Sequence, residues 1–203
     1  MTAGFGFSSI NELANDEVAG QVRYTTFRKA PTQITTIGIW FDLSMSPGHP
    51  VPQYYAASPL VSTALYRSTD QGLDHGQNAN SKVLRKATVM STSATGLPMP
   101  MMLLDYIMFY PFCDEGTTDL QATTNSVTLP RYSTGAGVQI MPVSVAAAVG
   151  GQTFRVGYTN SDGVAGRLSD TVTINAAAYV GAIASSDRAL AGARGPFIPL
   201  QSG

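Results

Sequence analysis

Three prolines in six residues most constrain this chain. Ser46-Pro47-Gly48-His49-Pro50-Val51-Pro52 cannot be helix or central strand, because each proline fixes φ and removes a backbone donor. The segment reads as an extended, rigid loop. Pro98, Pro100, Pro111, Pro130 and Pro142 break the chain again at intervals, so every regular element between them is short. Thr35 to Leu43 (TTIGIWFDL), Lys82 to Thr92 (KVLRKATVMST) and Gly137 to Val145 (GVQIMPVSV) are rich in β-branched and apolar residues and read as strands. Pro142 makes the last an edge or bulged strand. Met101 to Tyr110 (MMLLDYIMFY) is the most apolar run and predicts a strand buried on both faces, with a short helix as the alternative by pattern. Ser126 to Leu129 adds a short strand. Gln53 to Tyr66 is ambiguous between helix and loop, and Ala176 to Ala191 between strand and weak helix.

The clearest local signal is Gln152 to Ile174. Phe154, Val156 and Tyr158 alternate, Thr159-Asn160-Ser161-Asp162-Gly163 turns the chain, and Leu168 to Ile174 returns. That pattern predicts a β-hairpin. One helix is expected, at Ser8 to Ala14, where Ser9 and Glu12 have capping-box spacing and Ile10, Leu13 and Ala14 share a face. Six or seven short strands with little helix predict an all-β fold, an antiparallel sandwich or jelly-roll-like barrel. The expected division is an N-terminal arm over residues 1–34, a β domain over 35–191 and an extended C-terminal segment over 192–203.

Solubility sets a second constraint. Charged residues make up only 12% of the 203, about half the roughly 25% of an ordinary soluble domain. Uncharged polar residues supply the remaining polar surface, and they cost less to desolvate against neighbouring subunits than charges do. A net charge of −1 argues against a role dominated by phosphate binding, so no nucleic-acid partner is expected. Lys82, Arg85 and Lys86 read as a solvated face, or as ion-pair partners for a neighbour's acidic loop. No apolar run approaches the ~18 residues that span a bilayer.

Catalytic patterns are weak. His49 and His75 lack metal-ligand company, and single Cys113 excludes an intrachain disulfide and a Cys-rich zinc site. Cys113 reads as a small buried hydrophobe. Asp114, Glu115 and Asp119 on a Thr-rich loop read as a solvated face, with a calcium site as the sharper alternative. No nucleophile elbow, P-loop or dinucleotide fingerprint is present. The expectation is no enzyme, no cofactor and no metal. Trp40, Phe41, Tyr54 and Tyr55 read as core and subunit contacts.

Several blocks together resemble a family of tailed-bacteriophage virion structural proteins. They are Gly6-Phe7-Ser8-Ser9-Ile10-Asn11-Glu12-Leu13, Trp40-Phe41-Asp42-Leu43-Ser44 with the proline loop, and Gly72-Leu73-Asp74-His75-Gly76. Leu129-Pro130-Arg131-Tyr132, Tyr158-Thr159-Asn160 with Gly163 and Gly166-Arg167, and Gly195-Pro196-Phe197-Ile198-Pro199-Leu200 complete the set. The resemblance implies a particle component, and that its relatives continue past the position of Gly203 with a further β segment. With the charge depletion, it leads to the expectation of a decoration or cement protein on the outer surface of the head. Such a protein would be a homo-oligomer, a trimer, bound to the major capsid protein. A tail or adaptor component and a carbohydrate-binding module for the host surface are the alternatives.

Two segments are expected to make the assembly contacts. Gly4-Phe5-Gly6-Phe7 puts two aromatics on a flexible leader, and burying Phe5 and Phe7 in a partner would contribute roughly 1.5–3 kcal/mol each before ordering costs. The proline loop is expected to project from the strand ending near Leu43 and to touch a neighbouring chain through Pro47, Pro50 and Pro52. Replacing those three prolines by alanine should weaken assembly, read by light scattering, more than it lowers the melting temperature of the chain.

Overall fold

The computed structural model describes residues 9–31, 36–55, 61–66, 70, 72–73, 84–92, 100–110, 113–122, 128–176 and 180–200. By compactness the chain divides into two units, Met1–Thr26 with Leu73–Asp105, and Phe27–Gly72 with Tyr106–Gly203.

The first unit contains the helix α1, Ile10–Val18. Ser9 caps it as the spacing predicts, its hydroxyl accepting from the Glu12 amide at 3.1 Å, which satisfies one of the orphan donors of the first turn. The helix runs one turn past Ala14, through Asn15, Asp16 and Glu17, before Gly20 at φ +69° ends it. No described residue of this unit is buried. The 84–92 segment has no regular secondary structure, and the backbone groups of 84–90 have no hydrogen-bond partner among the described residues. The strand expected over Lys82 to Thr92 is not formed among the described residues 84–92.

The second unit is organised around residues 181–186, all of them buried. One side of this segment meets 40–42, where the Asp42 amide donates to Gly181 O at 2.7 Å and the Ile183 amide to Trp40 O at 2.8 Å. The other side meets 142–144, where Ser144 N donates to Ala182 O and Ala184 N to Pro142 O, both at 2.8 Å. Antiparallel bridges Phe41↔Ala182 and Val143↔Ile183 mark the two seams. The C-terminal segment closes over them. Ile198 donates to Ile140 O at 2.8 Å and is 3% exposed.

Four two-residue strand pairs complete the described regular structure. Strand β1, Arg28–Lys29, pairs with β2, Gly48–His49; β3, Thr63–Ala64, pairs with β4, Met108–Phe109. Strands β5, Thr153–Phe154, and β6, Gly157–Tyr158, run out along the predicted hairpin, and β7, Arg167–Leu168, and β8, Val172–Thr173, run back. All pairs are antiparallel. The hairpin contains a bulge. Gly157 pairs with Leu168 and Phe154 with Val172, so two residues on the outgoing strand face three on the returning one. Ser169 fills the gap: its amide donates to Val156 O at 2.9 Å and its hydroxyl accepts from Val156 N at 3.0 Å. The alternation from Gln152 to Asn160 is exact in burial, with Phe154, Val156 and Tyr158 inward and Thr153, Arg155 and Thr159 exposed.

The predicted sandwich or barrel is not formed. Among the described residues the sheets are two-stranded and short, and most of the chain is coil. Met101 to Tyr110 is not a central strand: residues 101–105 are exposed, and only Met108–Phe109 pairs. The physical reason is the composition of the interior. Ser62, Ser169, Asn175, Ser185 and Ser186 are at most 1% exposed, and the side chains of Ser169, Asn175, Ser185 and Ser186 hydrogen-bond backbone groups that a sheet would otherwise pair. Asn175 Nδ2 donates to Ile183 O at 3.0 Å and Ser186 O at 2.6 Å, and Ser185 Oγ to Gly195 O at 3.0 Å. No helix among the described residues is long and apolar enough to cross a membrane.

Gly181 carries the close approach at the seam. It sits at φ +91°, and a Cβ there would lie 2.7 Å from Asp42 O. Gly163, in the hairpin turn at φ +79°, has open space around it. Gly181→Ala should therefore lower unfolding stability by roughly 2–4 kcal/mol through strain and clash together, whereas Gly163→Ala should cost about 1–2 kcal/mol through conformation alone. Urea titration of the two variants checks the order, and equal losses would contradict it.

Candidate functional site

The proline loop lacks the means to satisfy its own carbonyls. Pro47, Pro50 and Pro52 donate no hydrogen bonds, so an outside donor is required. Lys29 supplies it. Pairing of β1 with β2 places Lys29 opposite Gly48, and Ala30 N donates to Pro47 O at 2.8 Å. From there the ammonium donates to Ser44 O at 3.1 Å, Ser46 O at 3.0 Å and Pro50 O at 2.7 Å. An ammonium has three protons, and each is used. The Phe27 ring lies beneath, its centroid 5.5 Å from Nζ.

Asp42 is the counter-charge. It is 7% exposed, held by the seam with Gly181, and its carboxylate accepts from Ser44 N at 2.8 Å and Ser44 Oγ at 2.7 Å. Tyr55 stands 3.5 Å from Ser44 Oγ through its hydroxyl, and its ring meets Phe109 edge-on, centroids 4.9 Å apart. Burial pushes the Tyr55 phenol up to about 12, with the Asp42 charge adding to the shift and the Ser44 contact opposing it. Burial likewise drives Tyr106 far above the ordinary phenol range, reinforced by Asp42 and Tyr55. Burial lowers the Lys29 pKa, and Asp42 opposes that.

This chemistry favours holding over reacting. Asp42 already accepts twice from Ser44, the Lys29 ammonium carries no lone pair, and the Ser44 hydroxyl meets a carboxylate with no imidazole between them. What the cluster does is fix the loop's base while its tip stays in solvent. Pro47, Gly48 and His49 are exposed, Pro50 and Pro52 are partly covered, and Tyr54 is 82% exposed.

The sequence-predicted site residues fall in different places. Pro47, Pro50 and Pro52 belong to this loop. Phe5, Phe7, His75 and Lys82 lie outside the described residues. Arg85 lies on a solvated face, as expected, and pairs there with Glu17 of α1 at 3.1 Å, both side chains exposed. That contact and the Tyr24 hydroxyl at 3.1 Å hold the Glu17 carboxyl below its ordinary value. Cys113 is exposed rather than buried, because it lies beyond Pro111 in the acidic loop. Partial desolvation raises its thiol pKa, the opposite of activation. In that loop Asp114 Oδ1 accepts from Gly116 N at 2.8 Å, and Glu115 Oε1 from Val149 N at 2.6 Å. Among the described residues no three His, Cys, Asp or Glu side chains converge as metal ligands, so the calcium alternative has no site there.

Lys29 and Tyr106 were not singled out by sequence reading; Ser44 stood only in a resembling block, and Tyr55 only as a core or subunit contact. Asp42 had one signal, as the sole charge in TTIGIWFDL. No family model matches the chain, and neither a curated protein nor a solved structure matches it significantly.

The tyrosines fix the sign of an alkaline transition. Their folded pKa values stand above the unfolded ~10, so above pH ~10 the unfolded chain loses protons that the folded chain keeps. Their stabilising contribution is complete below that pH and is lost as pH rises through the folded values. Lys29, shifted down, acts with the opposite sign. Urea midpoints measured from pH 9 to 12 should fall with pH, and Tyr106→Phe should flatten that fall. An unchanged slope would show that Tyr106 does not carry it.

Proposed function

We propose that this chain is a non-enzymatic structural protein of a tailed-phage particle. In this reading it is a decoration or cement protein that sits as a homo-oligomer on the outside of the head and bridges major capsid subunits. The observation that carries the reading is incomplete burial. A unit that includes Met1–Thr26 and Leu73–Asp105 has no buried residue among those described, and a segment that buries so little apolar area cannot offset its own ordering entropy. Subunits that finish their burial against neighbours have this property. The Lys29-anchored loop supports the same reading, since a tip held rigid before contact loses little entropy on docking. The blocks that resemble virion proteins include this loop and the Trp40-Phe41-Asp42-Leu43-Ser44 segment beside the central seam.

The mechanism is additive. Each contact removes apolar area from water at about 25 cal/mol per Å², and many copies stiffen a shell that must resist internal pressure. Low charge keeps the desolvation cost of these contacts small.

Purified protein added to heads that lack it should co-sediment with them and raise the temperature at which they release DNA. Lys29→Met, which takes the described donor from Ser46 O and Pro50 O, should weaken that binding by about 10-fold or more. Labelling confined to the tail in electron micrographs would replace the head reading with the tail one, and binding to neither would end both.

A further inference from the structure

Asp162-Gly163 is the one place in the chain where an Asp or Asn precedes glycine. Glycine has no Cβ to crowd its own nitrogen, so that nitrogen can approach the preceding side-chain carboxyl. The pair sits at the tip of the hairpin beyond β6 and β7, where residues 161–166 are all exposed. Among the described residues the Asp162 carboxylate has no hydrogen-bond or ion-pair partner. Gly163 stands at φ +79°, with nothing within 4 Å of the position a Cβ would take. What restrains its nitrogen is the turn. Gly163 N donates to Asn160 O at 3.0 Å, Asn160 N to Val164 O at 3.1 Å, and Val164 N to Asn160 Oδ1 at 2.8 Å.

We propose that Asp162 is a site of spontaneous isomerisation to isoaspartate, and that Asn160 sets the rate by holding the turn shut. The step depends on this turn and on no partner. The Gly163 nitrogen attacks Cγ of Asp162 in its acid form. A Cγ–N bond forms, the carboxyl hydroxyl leaves as water with the amide proton, and a succinimide ring closes. Water then opens the ring. Addition at Cγ restores aspartate. Addition at the main-chain carbonyl of Asp162 breaks the original peptide bond and leaves the chain running through Cβ and Cγ. The sum is an isomerisation that consumes no oxidant, cofactor or energy source. Attack requires the Gly163 amide to lose its proton and turn toward Cγ, so its bond to Asn160 O must break first. The Asn160 side chain opposes that opening by tying down the next amide, Val164 N. Asn160 itself precedes Ser161, but its own side-chain carbonyl is held in that same bond. The product carries one extra main-chain atom between Asn160 and Val164, and the closing bonds of the turn do not accommodate it.

The test uses the full chain, incubated for weeks at neutral pH and then assayed with an isoaspartyl methyltransferase and by peptide mapping. Methyl acceptance should grow with time in the peptide that holds Asp162 and Gly163, with no change in its mass. Asp162→Glu, whose ring would need a sixth member, should remove that signal. Asn160→Ala should raise the rate by about 5-fold, the change in turn opening that one net hydrogen bond allows, and a melting curve checks that this variant is folded. The unaltered chain held in urea, where the turn is open, should isomerise faster than the native chain. In aged protein the amides of Asn160 and Val164 should exchange faster than in fresh protein. Absence of isoaspartate at Asp162 overturns the proposal, as does a signal that Asp162→Glu leaves intact. A gain in mass at Asn160 in place of that signal also overturns it, since it marks loss of ammonia from that residue instead. Equal rates in native and urea-held chain, or in a folded Asn160→Ala variant and the unaltered protein, overturn the role of the turn as the gate.

Discussion

The second unit depends on the threading of residues 181–186 between two other segments. Each edge of this stretch is bonded, to 40–42 on one side and to 142–144 on the other. It holds chain segments over a hundred residues apart in sequence without a regular sheet. Gly181 makes the approach possible because only a residue without Cβ fits beside Asp42 O. Ile183, 1% exposed, supplies the apolar anchor, worth roughly 1.5–3 kcal/mol by burial. Asn175 supplies the polar one, its amide donating to two carbonyls of the same stretch.

That seam also sets up the charged cluster. Asp42 is fixed by the hydrogen bond from its own amide to Gly181 O, so its carboxylate meets Ser44 from a defined position. Lys29 arrives from β1 and closes the loop with three donated hydrogen bonds. Opposite charges in a partly buried place normally raise the question of net cost, since desolvation offsets attraction. Here the lysine's value lies in its donors. Without them Ser46 O and Pro50 O of a proline-rich loop would be left to water or unpaired, whereas Ser44 O also accepts from Gln53 N.

The two units differ in how they meet the same composition. In the second, serine and asparagine side chains are drawn inward and satisfied by backbone partners. In the first, side-chain links include an exposed ion pair, Arg85 with Glu17, a Tyr24–Glu17 contact and the Ser9 cap on α1. An exposed pair of this kind is screened by salt and holds little by itself. Low charge therefore has two outcomes in one chain: a polar interior where segments converge, and uncovered apolar surface where they do not.

Local chemistry was legible in the residues. Ser9 announced the helix start, the alternation of Phe154, Val156 and Tyr158 announced the hairpin, and Asn160 with Gly163 announced its turn, because each signal acts within a few residues of itself. The proline loop was legible for the same reason, since a proline's fixed φ and missing donor need no partner. The absence of a sandwich was not legible. The run from Met101 to Tyr110 states that it is apolar and not what will cover it, and Val143 and Phe41 state a strand preference and not the length of the ladder. The Lys29 anchor was equally hidden, because nothing near Lys29 in sequence marks carbonyls that lie 15 to 21 residues away. Sequence determined where this chain turns, caps and stiffens. The tertiary structure alone decided which segments meet, because that depends on how backbone groups far apart in the chain find their hydrogen-bond partners.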